Sequence, residues 1–536
     1  MRIIKKKQAM STLLALLLVC LLAGCNSAPT PTATSVPAAP TSASALEPTS
    51  TPAPPPAPEP VALTLPGDDW GYPSPFAFYS RGPGYLRMSF IFDTLTWKDE
   101  EGVIPWLADN WDVSEDGTEW IFTLHSGVAW HDGEPLTAED VAFTFDYLKE
   151  HQESFQWSWP VDKVARTEIV DERTVTLYLT EPIAGCHVDL VGSVPIIPKH
   201  VWENVEDPAK FTAEEAVIGT GPFKLVEYSK EEARYIYGAN ADYFKGSPAV
   251  DTLTFIKVEN EALALETGTT DYASFWGKEI EAVQAFEDNE NYGIIGGPSF
   301  WVLQMIFNTQ KTPFDDVELR RAVAHAIDRE EIVEQVTHGG AIVASLGIIS
   351  PFTDWHNPNL PVYEYDPAKA KAMLEDLGVT DLNLMLITTS GFAREAELVQ
   401  ADLAEIGIEV EVQTGDRSTI DGLLREGNFD LAINGHGGIA NPAILRTPTW
   451  PAESYSNDEY DQLYQQQAST VDEEARRELV WQLQAIIAED LPVLTLWHPK
   501  MWTVYDASKL DTWFYTKGGV GLGIPIAMNK LIFLER

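Results

Sequence analysis

Apolar and polar positions alternate in two short stretches. Trp120, Phe122 and Leu124 alternate with Ile121, Thr123 and His125, and Val175, Leu177 and Leu179 with Thr174, Thr176, Tyr178 and Thr180. A period of two predicts half-buried strands. Between them Thr137 caps a predicted helix with Asp140 at its third position, and Val141, Phe145 and Leu148 fall on one face. Residues 61–65 read as a strand opening into a loop of turn formers and aromatics, Pro66-Gly67-Asp68-Asp69-Trp70-Gly71-Tyr72-Pro73.

Helical spacing dominates further on. Asp315 and Glu318 make a start like a capping box, followed by Leu319, Ala322, Val323, Ala326 and Ile327 at intervals of three and four. A second helix is capped by Asp366, carries Pro367 in its first turn and stops at Gly378. Residues 382–388 as strand, 393–406 as helix and 408–413 as strand then form a βαβ unit, which requires a parallel sheet. The predicted fold class is α/β with mixed sheets.

The first 60 residues follow different rules. Arg2, Lys5, Lys6 and Lys7 precede an apolar run over 11–22, too short to span a bilayer comfortably, as in a signal peptide. It ends in Leu22-Ala23-Gly24-Cys25, which resembles the bacterial lipoprotein signal and makes Cys25 the expected lipidation site. Residues 26–60 are almost wholly Pro, Ala, Ser and Thr, with too little apolar surface to offset the entropy of ordering. They are expected to be a tether, with a reach on the order of 100 Å if extended.

Composition narrows the partners. The formal net charge is −45, and −49 without the four basic residues of the leader, which argues against nucleic acid and anionic headgroups. With Cys20 in the leader and Cys25 lipidated, Cys186 stands alone, so no intrachain disulfide is expected. No HExxH, GxSxG, Walker loop or Cys/His cluster occurs in the sequence, and no carboxylate pair has a context that marks it as catalytic. His131-Asp132 sits beside Gly133 and Pro135 and reads as a structural turn. Neither an enzymatic activity, nor a cofactor, nor a metal is expected.

A longer set of motifs carries a resemblance. Residues 106–111 (Trp-Leu-Ala-Asp-Asn-Trp), 114–117 (Ser-Glu-Asp-Gly), 127–141 (from Gly127-Val128-Ala129-Trp130-His131-Asp132-Gly133 to Val141), 219–225, 308–316 and 320–332 are, in this order, similar to the hallmark runs of family 5 extracytoplasmic solute-binding proteins, the oligopeptide- and dipeptide-binding family. The resemblance implies a two-lobed periplasmic-binding-protein-like fold of the large three-domain variety, with a hinge and an interlobe cleft. Lobe I is then expected at 61–97, 195–304 and 498–536, an inserted small domain at 98–194, and lobe II at 305–497. It also implies a monomer that delivers a small solute to membrane permease subunits powered by cytoplasmic ATPases. An exported hydrolase or a chemoreceptor-coupled sensor are the competing classes.

Two departures from the family pattern stand out. His125 replaces a common Arg or Lys, a surface change. The loop after residues 429–433 reads Asn434-Gly435-His436-Gly437-Gly438-Ile439-Ala440-Asn441-Pro442, without the carboxylate with which peptide-binding relatives usually hold an α-ammonium. A buried ammonium without a counter-charge is costly, so an oligosaccharide is the alternative solute to an oligopeptide. The candidate ligand-binding residues are Trp70, Tyr72, Tyr272, Trp276, Trp301, Arg417, Asn434, His436, Gly438, Asn441 and Trp497. Aromatic faces would pack on apolar, peptide or sugar surfaces, and amides, histidine or arginine would hydrogen-bond to the solute. A core role for each aromatic, a plain loop histidine, and a local Arg417–Asp416 pair are the alternatives.

Overall fold

The structure, a computed structural model, describes residues 60–534 apart from 80–81, 153–158, 298–299, 440, 447–454, 522 and 525. Cys25 and the tether lie outside the described residues. Both alternating stretches are strands of one antiparallel sheet, Glu119–Leu124 and Thr174–Leu179, flanked by Ala108–Val113 and Val164–Asp171. The helix Ala138–Glu150 begins at Thr137 with the expected capping box, and Val141, Phe145 and Leu148 are buried. A second four-stranded sheet pairs Ala62–Gly67 in parallel with Thr252–Lys257, which then runs antiparallel to Arg234–Ala239 and on to Phe223–Ser229. The side chains of these two sheets share one core with the C-terminal stretch, where Trp97, Trp120, Tyr235, Phe255 and Phe533 are all buried.

A six-stranded mixed sheet organises the other half of the chain. Its order is Ala341–Val343, Val493–Pro499, Trp301–Phe307, Leu431–Gly437, Asn383–Thr389 and Glu409–Gly415. The expected βαβ unit is present: Asn383–Thr389 and Glu409–Gly415 are parallel, joined by the helix Ala393–Glu405. Leu303, Met305 and Phe307 enter the core on one face of this sheet, while Val302 and Ile306 enter the core on the other. Trp301–Phe307 and Val493–Pro499 run unbroken through the 304/305 and 497/498 divisions expected from the sequence.

Caps follow the sequence with one shift. Asp366 accepts from the Lys369 amide, and Gly378 adopts φ +67° after the helix Pro367–Asp376. The preceding helix, Val317–Ala326, is capped by Asp316 rather than Asp315, because the Asp316 carboxylate accepts from the Glu318 amide at 2.9 Å. A three-stranded antiparallel sheet, Tyr272–Trp276, Met501–Asp506 and Tyr292–Gly297, lies beside the six-stranded one in the chain path and carries its own small core. Among the described residues, no helix is long and apolar enough to cross a membrane.

Candidate functional site

Strand direction marks where a candidate site lies. Asn383–Thr389, Glu409–Gly415 and Leu431–Gly437 are mutually parallel, so their carboxyl ends share one edge of the six-stranded sheet. Crevices at such ends are where open α/β sheets bind ligands. Trp301 begins an antiparallel strand opposite Gly437, and Trp497 pairs with Leu303, which brings both tryptophans to the same edge. Arg417 reaches it as the first residue of the helix Arg417–Arg425.

The aromatic part is built on missing side chains. A Cβ on Gly435 would stand 1.8 Å from Trp301 Cη2, and one on Gly437 2.8 Å from Trp301 Nε1, so the indole lies on bare backbone. Trp276 closes edge-on against it, with ring centroids 5.3 Å apart and planes at 85°. Next in sequence, Gly277 at φ +58° donates from its amide to the Lys500 carbonyl at 2.9 Å and lies 3.8 Å from the Trp497 ring by its missing Cβ. Three of the candidate tryptophans are thus neighbours. Trp276, at 44% exposure, offers a free ring face, whereas Trp497 at 5% is core and Trp301 is half-buried.

The polar part lies on the opposite face of the sheet. Asn434 and His436 face Gln304 and Val302 across the strands. Asn434 is 2% exposed, and its Oδ1 accepts from Arg417 Nη1 at 2.7 Å and from the Gly435 amide at 2.9 Å. Arg417 is half exposed and also lies 3.6 Å from Asp421, so its carboxylate neighbour is Asp421 on the next turn, not Asp416, which caps the helix instead. Burial pushes the His436 imidazole down to about 4, which keeps it neutral. Residues 434–437 are strand rather than the expected loop, because they pair along their whole length with Trp301–Phe307. The turn begins at Gly438, φ +79°.

Asn441 meets a partner from far away in sequence. Its Nδ2 donates to Asp189 Oδ1 at 2.7 Å. Burial raises the Asp189 carboxyl, while the Arg476 guanidinium opposes that rise. Asp189, Arg476 and the buried His498 are site neighbours that sequence reasoning did not find. Asp189 sits in a four-residue helix without periodic signal, and Arg476 on a long helix where charge is expected on the outer face.

The remaining candidates stay in the other half. Trp70 donates its backbone N–H to the Tyr235 hydroxyl at 2.7 Å. Tyr72 donates to the Ala213 carbonyl at 3.1 Å and packs on Tyr228, and burial pushes its phenol up to about 12. Tyr272 is 1% exposed, packed on Trp513 at 4.7 Å between centroids, with its hydroxyl 3.3 Å from Ser274 Oγ. Packing within the fold is what these contacts describe. His131 is structural too, its Nε2 2.9 Å from the Gly221 carbonyl. Cys186 is a buried free thiol, raised by burial. Three surface hollows of about 350, 510 and 370 Å³ are lined by none of the candidate residues.

Comparison with known proteins gives the class to which this α/β molecule of mixed sheets belongs. Residues 102–457 match the model of the bacterial extracellular solute-binding proteins, family 5. The dipeptide-binding protein of Escherichia coli (strain K12) is 28% identical over 466 residues, which are 78% of this chain and 84% of that protein. Among solved structures, the ABC transporter substrate binding protein CtaP from Listeria monocytogenes is 26% identical with a TM-score of 0.72, over 83% of this chain and 94% of that one. NikZ from Campylobacter jejuni, in complex with Ni(L-His), is similar in fold, with 22% identity and a TM-score of 0.70 over 86% of this chain and 97% of that one.

This chain belongs to the family 5 bacterial extracellular solute-binding proteins. It is an ABC transporter substrate-binding protein of that family, whose members are transport proteins and not enzymes.

Proposed function

We propose that this protein captures a short peptide between lobe I and lobe II and hands it to the permease of an ABC importer, acting as a monomer tethered to the membrane through a lipid on Cys25. The observation that carries the solute reading is the composition of the sheet edge. The exposed Trp276 ring and the glycine pair Gly437-Gly438 where the strand ends suit a chain with flat peptide groups and alternating side chains. Peptide relatives support it: the Escherichia coli protein is named for dipeptides. An oligosaccharide is the second reading, favoured by the same tryptophan face and by the lack of a carboxylate within 434–441. Calorimetry with trialanine and with cellotriose decides between them. Saturable trialanine binding with no cellotriose heat supports the peptide, and the reverse result replaces it.

The anchor rests on Leu22-Ala23-Gly24-Cys25 and the Pro/Ala/Ser/Thr run behind it. Mass spectrometry of the membrane fraction is expected to find diacylglycerol on Cys25, and Cys25→Ala to release the protein into solution. An unmodified Cys25 in a soluble fraction refutes the anchor.

A further inference from the structure

Two neighbouring stretches of chain carry the six-stranded sheet into the three-stranded one. Val493–Pro499 passes through Lys500 into Met501–Asp506, and Tyr292–Gly297 is followed by Trp301–Phe307. Gly297 pairs with Met501 and His498 Nδ1 donates to the Trp301 carbonyl at 2.9 Å, so the two stretches lie side by side. Element-terminal residues shared in this way are where hinges form. Away from these crossings, a charged side chain reaches from one sheet to the other. Lys278, just past the strand Tyr272–Trp276, places Nζ 2.9 Å from Glu395 Oε1 and donates to the Gly391 carbonyl at 3.2 Å. Glu395 belongs to the helix Ala393–Glu405, which joins two strands of the six-stranded sheet. Its side chain is 0% exposed, against 37% for Lys278, and neither carboxylate oxygen has another partner among the described residues. The adjacent cation is already engaged, since Arg394 pairs with Glu397 at 3.0 Å and donates to Gln335 at 3.0 Å. A fully buried carboxylate thus has its counter-charge on a residue of the other sheet.

We propose that the Lys278–Glu395 pair is a latch that holds the two sheets closed over the solute. This rests on the reading that the solute is enclosed between lobe I and lobe II, and it names a contact that keeps them shut. Taking one partner away from a buried ion pair is strongly destabilising, because it leaves a charge enclosed and uncompensated. Opening therefore has to break the pair and hydrate Glu395, and closing remakes it. The latch also adjoins the candidate site. Gly277 alone separates Lys278 from the exposed Trp276 ring and turns the chain at φ +58°. Gly340, past the helix Arg329–Thr337, lets the two segments approach, for its missing Cβ would stand 1.9 Å from the Gly277 carbonyl oxygen. A solute resting on Trp276 thus bears on the stretch that carries the lysine.

The test uses the full chain, purified in detergent, with nitroxide labels at Glu287→Cys beside the three-stranded sheet and Glu409→Cys on the six-stranded one, both exposed positions, while the native Cys186 is buried. Pulsed electron resonance then measures the distance between labels without solute. Lys278→Met and Glu395→Gln are each expected to shift the distance distribution away from that of the unaltered protein. Lys278→Arg, which keeps the charge, is expected to restore it, and Arg394→Ala to leave it unchanged. The double variant Lys278→Met/Glu395→Gln is expected to shift it no further than either single change, as for one shared contact. Calorimetry with trialanine and with cellotriose is expected to show whichever solute binds held about three- to tenfold more weakly by the two single variants, because affinity falls with the closed fraction. Should Lys278→Met fail to fold, Glu395→Gln, which strands no buried charge, carries the same test. Unchanged distances in both single variants overturn the latch and leave the solute reading standing. Absence of heat from either solute in the unaltered protein overturns the solute reading, and the solute-free distances still decide the latch.

Discussion

His498 shows how one buried side chain couples the fold to pH. It is fully buried, its Nδ1 donates to the Trp301 carbonyl at 2.9 Å and its Nε2 accepts from the Ser345 N–H at 3.3 Å, and the acceptor role of Nε2 requires the neutral ring. Burial holds the imidazole down at about 4, below the usual 6.5. Below pH 6.5 the unfolded chain therefore takes up a proton that the folded one refuses, and stability falls as pH drops from 6.5 towards 4. The contribution is at most about 3 kcal/mol. Melting temperature is expected to decline over that window, and less steeply in His498→Asn; equal slopes would refute the assignment. Lys530 is the opposite case, a charge that is kept. Its ammonium and the Asp93 carboxylate are both fully buried, and Asp93 also accepts from Trp106 Nε1 at 2.7 Å and Thr220 Oγ1 at 2.9 Å. Lys530→Met is expected to cost about 3–5 kcal/mol in chemical denaturation, since it strands a buried carboxylate. Neither partner was legible in the sequence, because they are more than 400 residues apart and nothing local marks a lysine as buried.

Elements with an exposed face were readable and those without were not. Glu119–Leu124 shows its alternation because one side faces away from the core. Trp301–Phe307 and Val493–Pro499 are covered on both faces, and a strand covered on both faces is mostly apolar without a period of two to detect. The same limit hid the extension of the Leu431–Gly437 strand: Asn, Gly and His in its second half read as turn, and only pairing with Trp301–Phe307 makes them strand. Two glycines separate local from tertiary demands. Gly435→Ala places a methyl 1.8 Å from Trp301 and is expected to lose about 1–3 kcal/mol and shift the tryptophan fluorescence. Gly422→Ala lies inside the helix Arg417–Arg425 with nothing within 4 Å of its new Cβ and is expected to gain about 0.5–1 kcal/mol. Thermal melts of the two variants that move in the same direction would contradict this account.

At the scale of the whole molecule, polar and apolar contacts join the segment expected as an insert to the segment expected as lobe II: a Cβ on Gly117 would stand 2.5 Å from Val471, and one on Gly185 2.9 Å from Arg476 Nη1. The Asn441–Asp189 hydrogen bond is joined by the Ala184 N–H to the Ala468 carbonyl at 2.9 Å. Further along the chain, the exposed Lys517–Asp354 pair at 2.6 Å adds less than about 1 kcal/mol. Asn441→Ala removes the one side-chain contact to Asp189 from this loop and leaves a buried carboxyl short of a donor. Small-angle scattering of the solute-free variant is expected to give a larger radius of gyration than the unaltered protein, and identical profiles would show that the contact does not hold the segments together.

The sequence by itself determined the α/β class, the capped helices, the βαβ unit and, through long motifs in order, the family, because caps, periods and motifs are local and survive without coordinates. The tertiary structure alone decided which candidates become neighbours. Trp276, Trp301 and Trp497 meet because strands remote in sequence bring them together, Tyr272 turns inward because the packing around it leaves no open side, and Asp189 reaches Asn441 across 252 positions. Contacts between segments that far apart are set by strand order and side-chain volume, and neither quantity is written in any local stretch of residues.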